Sequence, residues 1–158
     1  MPEHPALTES EVLAAVDALV DAFRRTDGPA YFACFHEDAT FVFPDQDARL
    51  ETRAAYERLW AGWVAGGWSV LECTSTDRRV QLLGGTAVFT HRVRTAVATG
   101  EGSGSEVLDE RETIVIARQA GGALLAVHEH LSAMPAEPEP ARSEPAAGGV
   151  ASAGETAA

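Results

Sequence analysis

The sequence predicts an α+β domain, and three features of the chain carry that class. Apolar residues recur at helical spacing up to Gly66-Gly67, and the texture then changes to β-branched and alternating runs separated by turn residues. The end of the chain is rich in Pro, Ala and Glu, with almost no apolar side chain large enough to pack. Helices gathered before a run of antiparallel strands cover one face of a sheet, because each element must bury its apolar side against another.

The elements follow in order. Thr8 and Glu11 form a capping box, and Val12, Val16, Leu19 and Phe23 share a helical face before Gly28, predicting a first helix over Thr8–Thr26. Pro29 suits the first position of a second, shorter helix carrying Tyr31, Phe32 and Phe35. Thr40–Phe43 is a short β-prone run stopped by Pro44, and a third helix begins near Thr52, carrying Tyr56, Leu59, Trp60 and Trp63. Gly66-Gly67 ends it. Strands are expected over Trp68–Thr76, Arg79–Leu83, Thr86–Val97, Glu106–Ala117 and Leu124–Ser132. The reading therefore places one domain over 8–134, a flexible N-terminus over 1–7 and a disordered Pro/Ala/Glu-rich tail over 135–158.

At 158 residues the chain is long enough to bury a real core. Its formal net charge of -12 and lack of a basic run argue against nucleic acid as a partner. Every basic residue is arginine, which reads as codon bias rather than chemistry. Cys34 and Cys73 have neither metal-site spacing nor a secretory context and are expected as reduced thiols, with a single disulfide between them the lesser alternative. The start, Met-Pro-Glu-His-Pro, has no positive region followed by an apolar one, and no run approaches membrane-spanning length. The expectation is a soluble, cytoplasmic protein with no membrane partner.

The chemistry concentrates in Val127-His128-Glu129-His130-Leu131-Ser132. On a strand, His128 and His130 share one face, roughly 7 Å apart at two residues' rise, while Glu129 and Leu131 share the other. With Ala120–Gly122 as a three-residue hairpin loop, Ile116 opposes Ala126, Ile114 opposes His128 and Glu112 opposes His130. A glycine loop centred near Gly102 sets Arg92 opposite Glu112 and Arg94 opposite Glu110. One face then carries Ile114 and Ile116 toward one end and the arginines, acids and histidines toward the other, the gradient of a pocket with an apolar floor and a charged mouth. The opposite face, with Phe89, Val93, Leu125 and Leu131, is also apolar and is the alternative side for the helices to cover.

Several runs together resemble the SnoaL-like branch of the nuclear transport factor 2-like superfamily, and within it the association domain of calcium/calmodulin-dependent kinase II. They are Phe35-His36-Glu37-Asp38-Ala39-Thr40-Phe41, Tyr56-Glu57-Arg58-Leu59-Trp60, Arg111-Glu112-Thr113 and Val127–Pro135. The resemblance implies a cone-shaped, barrel-like fold: a strongly curved, mixed and mainly antiparallel sheet wrapped by three N-terminal helices, with a pocket between them. It also implies a homodimer or higher homo-oligomer. Relatives include ketosteroid isomerase-like and polyketide cyclase-like enzymes as well as domains that only assemble or bind, so the fold is implied more strongly than the function.

On this reading His130 is a general base held by Glu112, and Arg92 or a protonated His128 stabilises the developing enolate oxygen. Tyr31, Tyr56, Trp60, Arg94 and Ile114 line the substrate pocket. The expected function is proton transfer of isomerase, cyclase or dehydratase type on a small, partly apolar carbonyl compound, without a cofactor. No residue maps onto the aspartate base and tyrosine–aspartate oxyanion donors of ketosteroid isomerase. The alternative is a non-catalytic module that assembles through its convex sheet face and holds a small carboxylate against Arg92 and Arg94. A metal held by His128, His130 and Glu112 is a lesser reading, since further ligands are lacking downstream; no metal is assigned.

Overall fold

A computed structural model describes residues 4–102, 104–138 and 140. Helix α1 spans Glu9–Arg24, with the Thr8–Glu11 capping box formed as expected. Glu11 also accepts from Arg118 Nη2 at 2.9 Å, fixing the start of α1 to the far end of a strand. At its other end the chain turns through Thr26 (φ 53°), whose Oγ1 accepts from the Val70 N–H at 2.8 Å. Helix α2 spans Gly28–Phe32, capped by Asp27 with Pro29 in its first turn, and α3 spans Arg53–Ala65, capped by Thr52. Phe35 opens strand β1, Phe35–Val42, instead of continuing α2. That strand is longer than the expected β-run, because pairing with a neighbour overrides the weak local preference of His36-Glu37-Asp38.

The remaining strands are β2 (Trp68–Leu83), β3 (Thr86–Thr99), β4 (Ser105–Arg118) and β5 (Leu124–Ala133). The two segments expected over 68–83 are one strand, interrupted by bulges between Val70 and Glu72 and between Thr76 and Arg79. Asp77 takes φ 51° in the second, and such bulges bend a sheet. The sheet is mixed and open, in the order β1-β5-β4-β3-β2, with β1 parallel to β5 and every other pair antiparallel. The helices lie on its inner face, burying Val12, Val16 and Leu19 with Phe35, Phe41, Phe89, Ile114 and Ile116. A close approach closes one end: a Cβ on Gly100 (φ 79°) would sit 1.9 Å from the Gly66 carbonyl oxygen.

The strand registers differ from expectation in two places, and both matter for the site. In the β4–β5 hairpin Ile116 opposes Ala126 as expected, but β5 then bulges. Beyond the bulge Val115 opposes His128, Ile114 opposes Glu129, Thr113 opposes His130 and Glu112 opposes Leu131. Between β3 and β4 the pairing is one residue away from the expected one, so Arg92 opposes Arg111, Arg94 opposes Asp109, and Glu112 meets His91. A one-residue shift moves every side chain to the other face, and burial of Ala87, Phe89, Val93 and Val97 selects the observed alternative.

Leu7 is buried and its N–H donates to Gly84 O at 2.8 Å. The expected tail lies outside the described residues except for 135–138 and 140, as do the first three residues of the expected flexible N-terminus. Among the described residues no helix is long and apolar enough to cross a membrane.

Candidate functional site

Helices α1, α2 and α3 do not fill the inner face of the sheet, and a cavity of about 600 Å³ remains between the layers. That is the size of a small-molecule site. Phe23, Phe43, Trp63, Trp68, Val93 and Leu131 give it apolar walls. Its polar groups converge from different elements: Tyr31 from α2, Tyr56 from α3, Glu110 and Glu112 from β4, and Glu129 from β5. Tyr31 is held in an aromatic cluster, stacked on Trp60 at 5.1 Å between ring centroids and edge-on to Phe35 at 5.0 Å, which fixes where its hydroxyl points.

A chain of hydrogen bonds runs from strand β2 to this cavity. His91, whose side chain is fully buried, meets Ser75 Oγ at 2.6 Å through Nδ1 and Glu112 Oε2 at 2.6 Å through Nε2. Glu112 is hydrogen-bonded to the Glu129 carboxyl. Glu129 Oε2 accepts from the Tyr31 hydroxyl at 3.2 Å, and the Tyr31 and Tyr56 hydroxyls are 3.4 Å apart. Two carboxyl groups side by side in an apolar setting cannot both ionise at ordinary pH. Burial pushes Glu112 up to about 7. Burial and then the neighbouring Glu112 push Glu129 well above the usual carboxylate range.

Although His91 and Glu112 have ion-pair geometry, burial and then the Arg78 guanidinium push the imidazole down to about 4, so the ring is neutral. One proton arrangement satisfies every group: Ser75 donates to His91 Nδ1, His91 Nε2–H donates to the Glu112 carboxylate, and Glu129 as the neutral acid donates to Glu112. Tyr31 and Tyr56 stay protonated, since burial above all raises both phenols. The cavity thus ends in a carboxylate held by a histidine, a neutral carboxylic acid and two hydroxyl groups.

The sequence-expected residues divide between the two faces. Tyr31, Tyr56 and Glu112 come together at the cavity. Ile114 is fully buried on the same face but lies in the core beneath the cavity lining, and Trp60 supports Tyr31 from behind. His128, His130, Arg92 and Arg94 lie on the outer face, contrary to the expected pocket side. His128 Nδ1 sits 2.8 Å from Thr40 Oγ1 and its ring is edge-on to His130, 6.3 Å between centroids. Arg92 Nε donates to Asp109 Oδ1 at 2.9 Å, and Arg94 is exposed. The expected His130–Glu112 and Arg92–Glu112 pairs therefore do not form, because the bulge in β5 and the one-residue shift between β3 and β4 put their members on opposite sides of the sheet. Among the described residues no group of three His, Cys, Asp or Glu side chains is arranged to hold a metal.

Glu110, expected at the charged mouth opposite Arg94, does line the cavity but without that arginine, whereas two residues of the site, His91 and Glu129, were expected on the other face. Their signal was available. His91 continues the apolar alternation Ala87, Phe89, Val93, and Glu129 is a lone acid on a face with Leu131, so each is a polar group inside a buried stripe.

A sequence profile described as a SnoaL-like domain matches residues 12–137. No curated protein matches the chain. Among solved structures, the chain is similar to a ketosteroid isomerase-like protein from Erwinia carotovora atroseptica SCRI1043, at 15% identity and TM-score 0.72 over 82% of this chain and 100% of that one. It is also similar to a candidate dehydratase of the NTF2-like family from Streptomyces avermitilis, at 20% identity and TM-score 0.69 over 80% and 96% of the two chains. The association domain of C. elegans CaMKII aligns at 16% identity and TM-score 0.62, over 78% and 94%. At these identities the likeness concerns the fold.

Proposed function

We propose that this chain, which belongs to the SnoaL-like domain family, binds a small, partly apolar carbonyl compound in its cavity and moves a proton on it with the Glu112–Glu129 pair. The observation that carries the reading is the pair itself: two buried carboxyls, one holding a proton, at the inner end of an apolar hollow. A carboxyl whose pKa stands near 7 is matched to base work at neutral pH. Glu112 takes the proton from the carbon beside the carbonyl while His91 holds its other oxygen. Glu129, as a neutral acid, and the Tyr31–Tyr56 hydroxyls stabilise the oxygen on which charge develops. Returning the proton to a different carbon isomerises the compound, and passing it instead to a departing β-hydroxyl group, which leaves as water as the enolate collapses to the unsaturated carbonyl, dehydrates it and frees Glu112. These reactions are of the kinds named for the ketosteroid isomerase-like and dehydratase structures of similar fold.

The test is loss of α-C–H signal by proton NMR in D2O for a panel of aryl ketones. Exchange above background is expected with the wild type, falling about 100-fold or more in Glu112→Gln, the scale of one general acid–base group. Exchange unchanged in both Glu112→Gln and Glu129→Gln would remove the proposed machinery.

A second reading concerns assembly. Val107 and Leu71 are 53% and 59% exposed outside the cavity, and Arg92, Arg94 and His130 stand on the outer sheet face. We propose that this face joins copies of the chain into a homodimer or larger ring, in the cytoplasm, as the likeness to an association domain supports. Light scattering that finds a monomer at working concentrations refutes it.

A further inference from the structure

We infer that the cavity is built for a ligand carrying a protonated nitrogen, whose ammonium group sits beside Glu110 while its apolar body lies along the aromatic wall. The inference takes the ligand site from the reading above and adds a substrate class to it. It begins with two consecutive residues of β4. Asp109 points outward and receives Arg92. Glu110 points inward, lines the cavity, is 9% exposed, and has neither a hydrogen-bond nor an ion-pair partner among the described residues. Its oxygens are not sealed off but open onto the cavity, where little water and, among the described residues, no protein cation offset their charge, so a group of opposite charge entering the cavity would meet them directly.

The surroundings increase that demand. Asp45 and Glu106 also line the cavity, and after burial their charges are what hold the Glu110 carboxyl above its usual range. With Glu112 and Glu129, every titratable side chain with a charge to offer this cavity is acidic. Among the described residues no arginine or histidine side chain lines it, although the chain carries 12 basic residues. Arg118 and Arg78 are paired away from it, with Glu11 and Asp17. An anionic ligand would enter against this field with no counter-charge, so a carboxylate is the class the cavity rejects.

The wall suits the other class. Phe43 and Tyr56 lie 4.8 Å apart between ring centroids, Tyr56 and Trp63 6.1 Å, and Trp63 and Trp68 5.4 Å, a continuous aromatic surface beside the acids. Aromatic faces attract ammonium groups within about 6 Å. The cavity can therefore hold the charge at Glu110 and leave the acid pair and the tyrosine hydroxyls free for the ligand's carbonyl.

The experiment is isothermal titration of the full chain with three probes on one skeleton: 4-phenylbutylamine, 4-phenylbutan-1-ol and 4-phenylbutanoate. The amine is expected to bind at least tenfold tighter than the alcohol and the carboxylate weakest of all. Raising salt from 20 to 300 mM should weaken the amine more than the alcohol, as screening requires. Glu110→Gln should bring the amine to within about threefold of the alcohol. The inference is overturned by an amine that binds no tighter than the alcohol, by an amine that fails to bind at millimolar concentration, or by a preference that survives Glu110→Gln. The salt series on the wild type decides the matter if the variant does not fold. Loss of the amine preference leaves the proton-transfer reading intact, since that stands or falls on deuterium exchange in the Glu112 and Glu129 variants.

Discussion

Replacing His91 by glutamine should turn a nearly pH-independent contribution to stability into a steep one. The wild-type ring is held down at about 4, whereas an unfolded histidine titrates near 6.5, so between those values the unfolded state binds the extra proton and stability rises with pH. Glu112 acts in the opposite sense. Its folded pKa of about 7 lies above the ordinary 4.5, so over that interval the folded state binds the extra proton and stability falls as pH rises. Each effect spans roughly 2.5 pH units, about 3 kcal/mol at 1.36 kcal/mol per unit, and between about pH 4.5 and 6.5 they offset one another.

Glutamine can still donate to Glu112 but cannot take up a proton, so only the falling limb remains. The variant should be close to the wild type at pH 4.5, where relief from keeping a buried imidazole neutral offsets a weakened hydrogen bond. It should become less stable by about 3 kcal/mol more as pH rises to 7. At about 2–4 °C per kcal/mol for a chain of this size, the two Tm values separate by roughly 6–12 °C across that range. Urea and thermal unfolding followed by the fluorescence of Trp60, Trp63 and Trp68 measures it. A difference that stays within about 1 kcal/mol between pH 4.5 and 7 would mean the ring is not held neutral, and the proton arrangement of the whole chain of groups would have to be redrawn.

Tyr31→Phe removes the donor to Glu129 and should lower stability by about 1–2 kcal/mol, with ketone binding weakened about tenfold in titration if its hydroxyl meets the ligand. His130→Ala, on the exposed outer face, should change unfolding free energy by no more than about 0.5 kcal/mol and leave deuterium exchange untouched; a large loss of exchange would return the base to that face. Gly100→Ala drives a Cβ into the Gly66 carbonyl at a positive φ and should cost about 3 kcal/mol or more by urea denaturation, while Gly121→Ala, with open space around it, should be nearly neutral.

Much of the architecture was legible because it is written locally. The Thr8–Glu11 box, the spacing of Val12, Val16 and Leu19, Pro29 at the start of α2 and Gly66-Gly67 after α3 each act within a few residues, and the helices form where these signals stand. The hairpin turn was equally plain: Gln119 N–H donates to Ala123 O at 2.7 Å, as a loop over Ala120–Gly122 requires. Tyr31 and Tyr56 were found because aromatic residues on helices that cover a sheet face its hollow.

By itself, then, the sequence determined the class, the order of the elements and the presence of paired acids and imidazoles on the last strands, since these follow from period and composition. Only the tertiary structure decided which side they serve. Sidedness in a sheet has a period of two, so the single bulge of β5 exchanged Glu129 for His130 at the cavity, and one residue of register exchanged His91 for Arg92. No local preference distinguishes those alternatives. The burial of Phe89, Val93 and Ile114 against helices far away in the chain does, and it carries the acid pair inward with them.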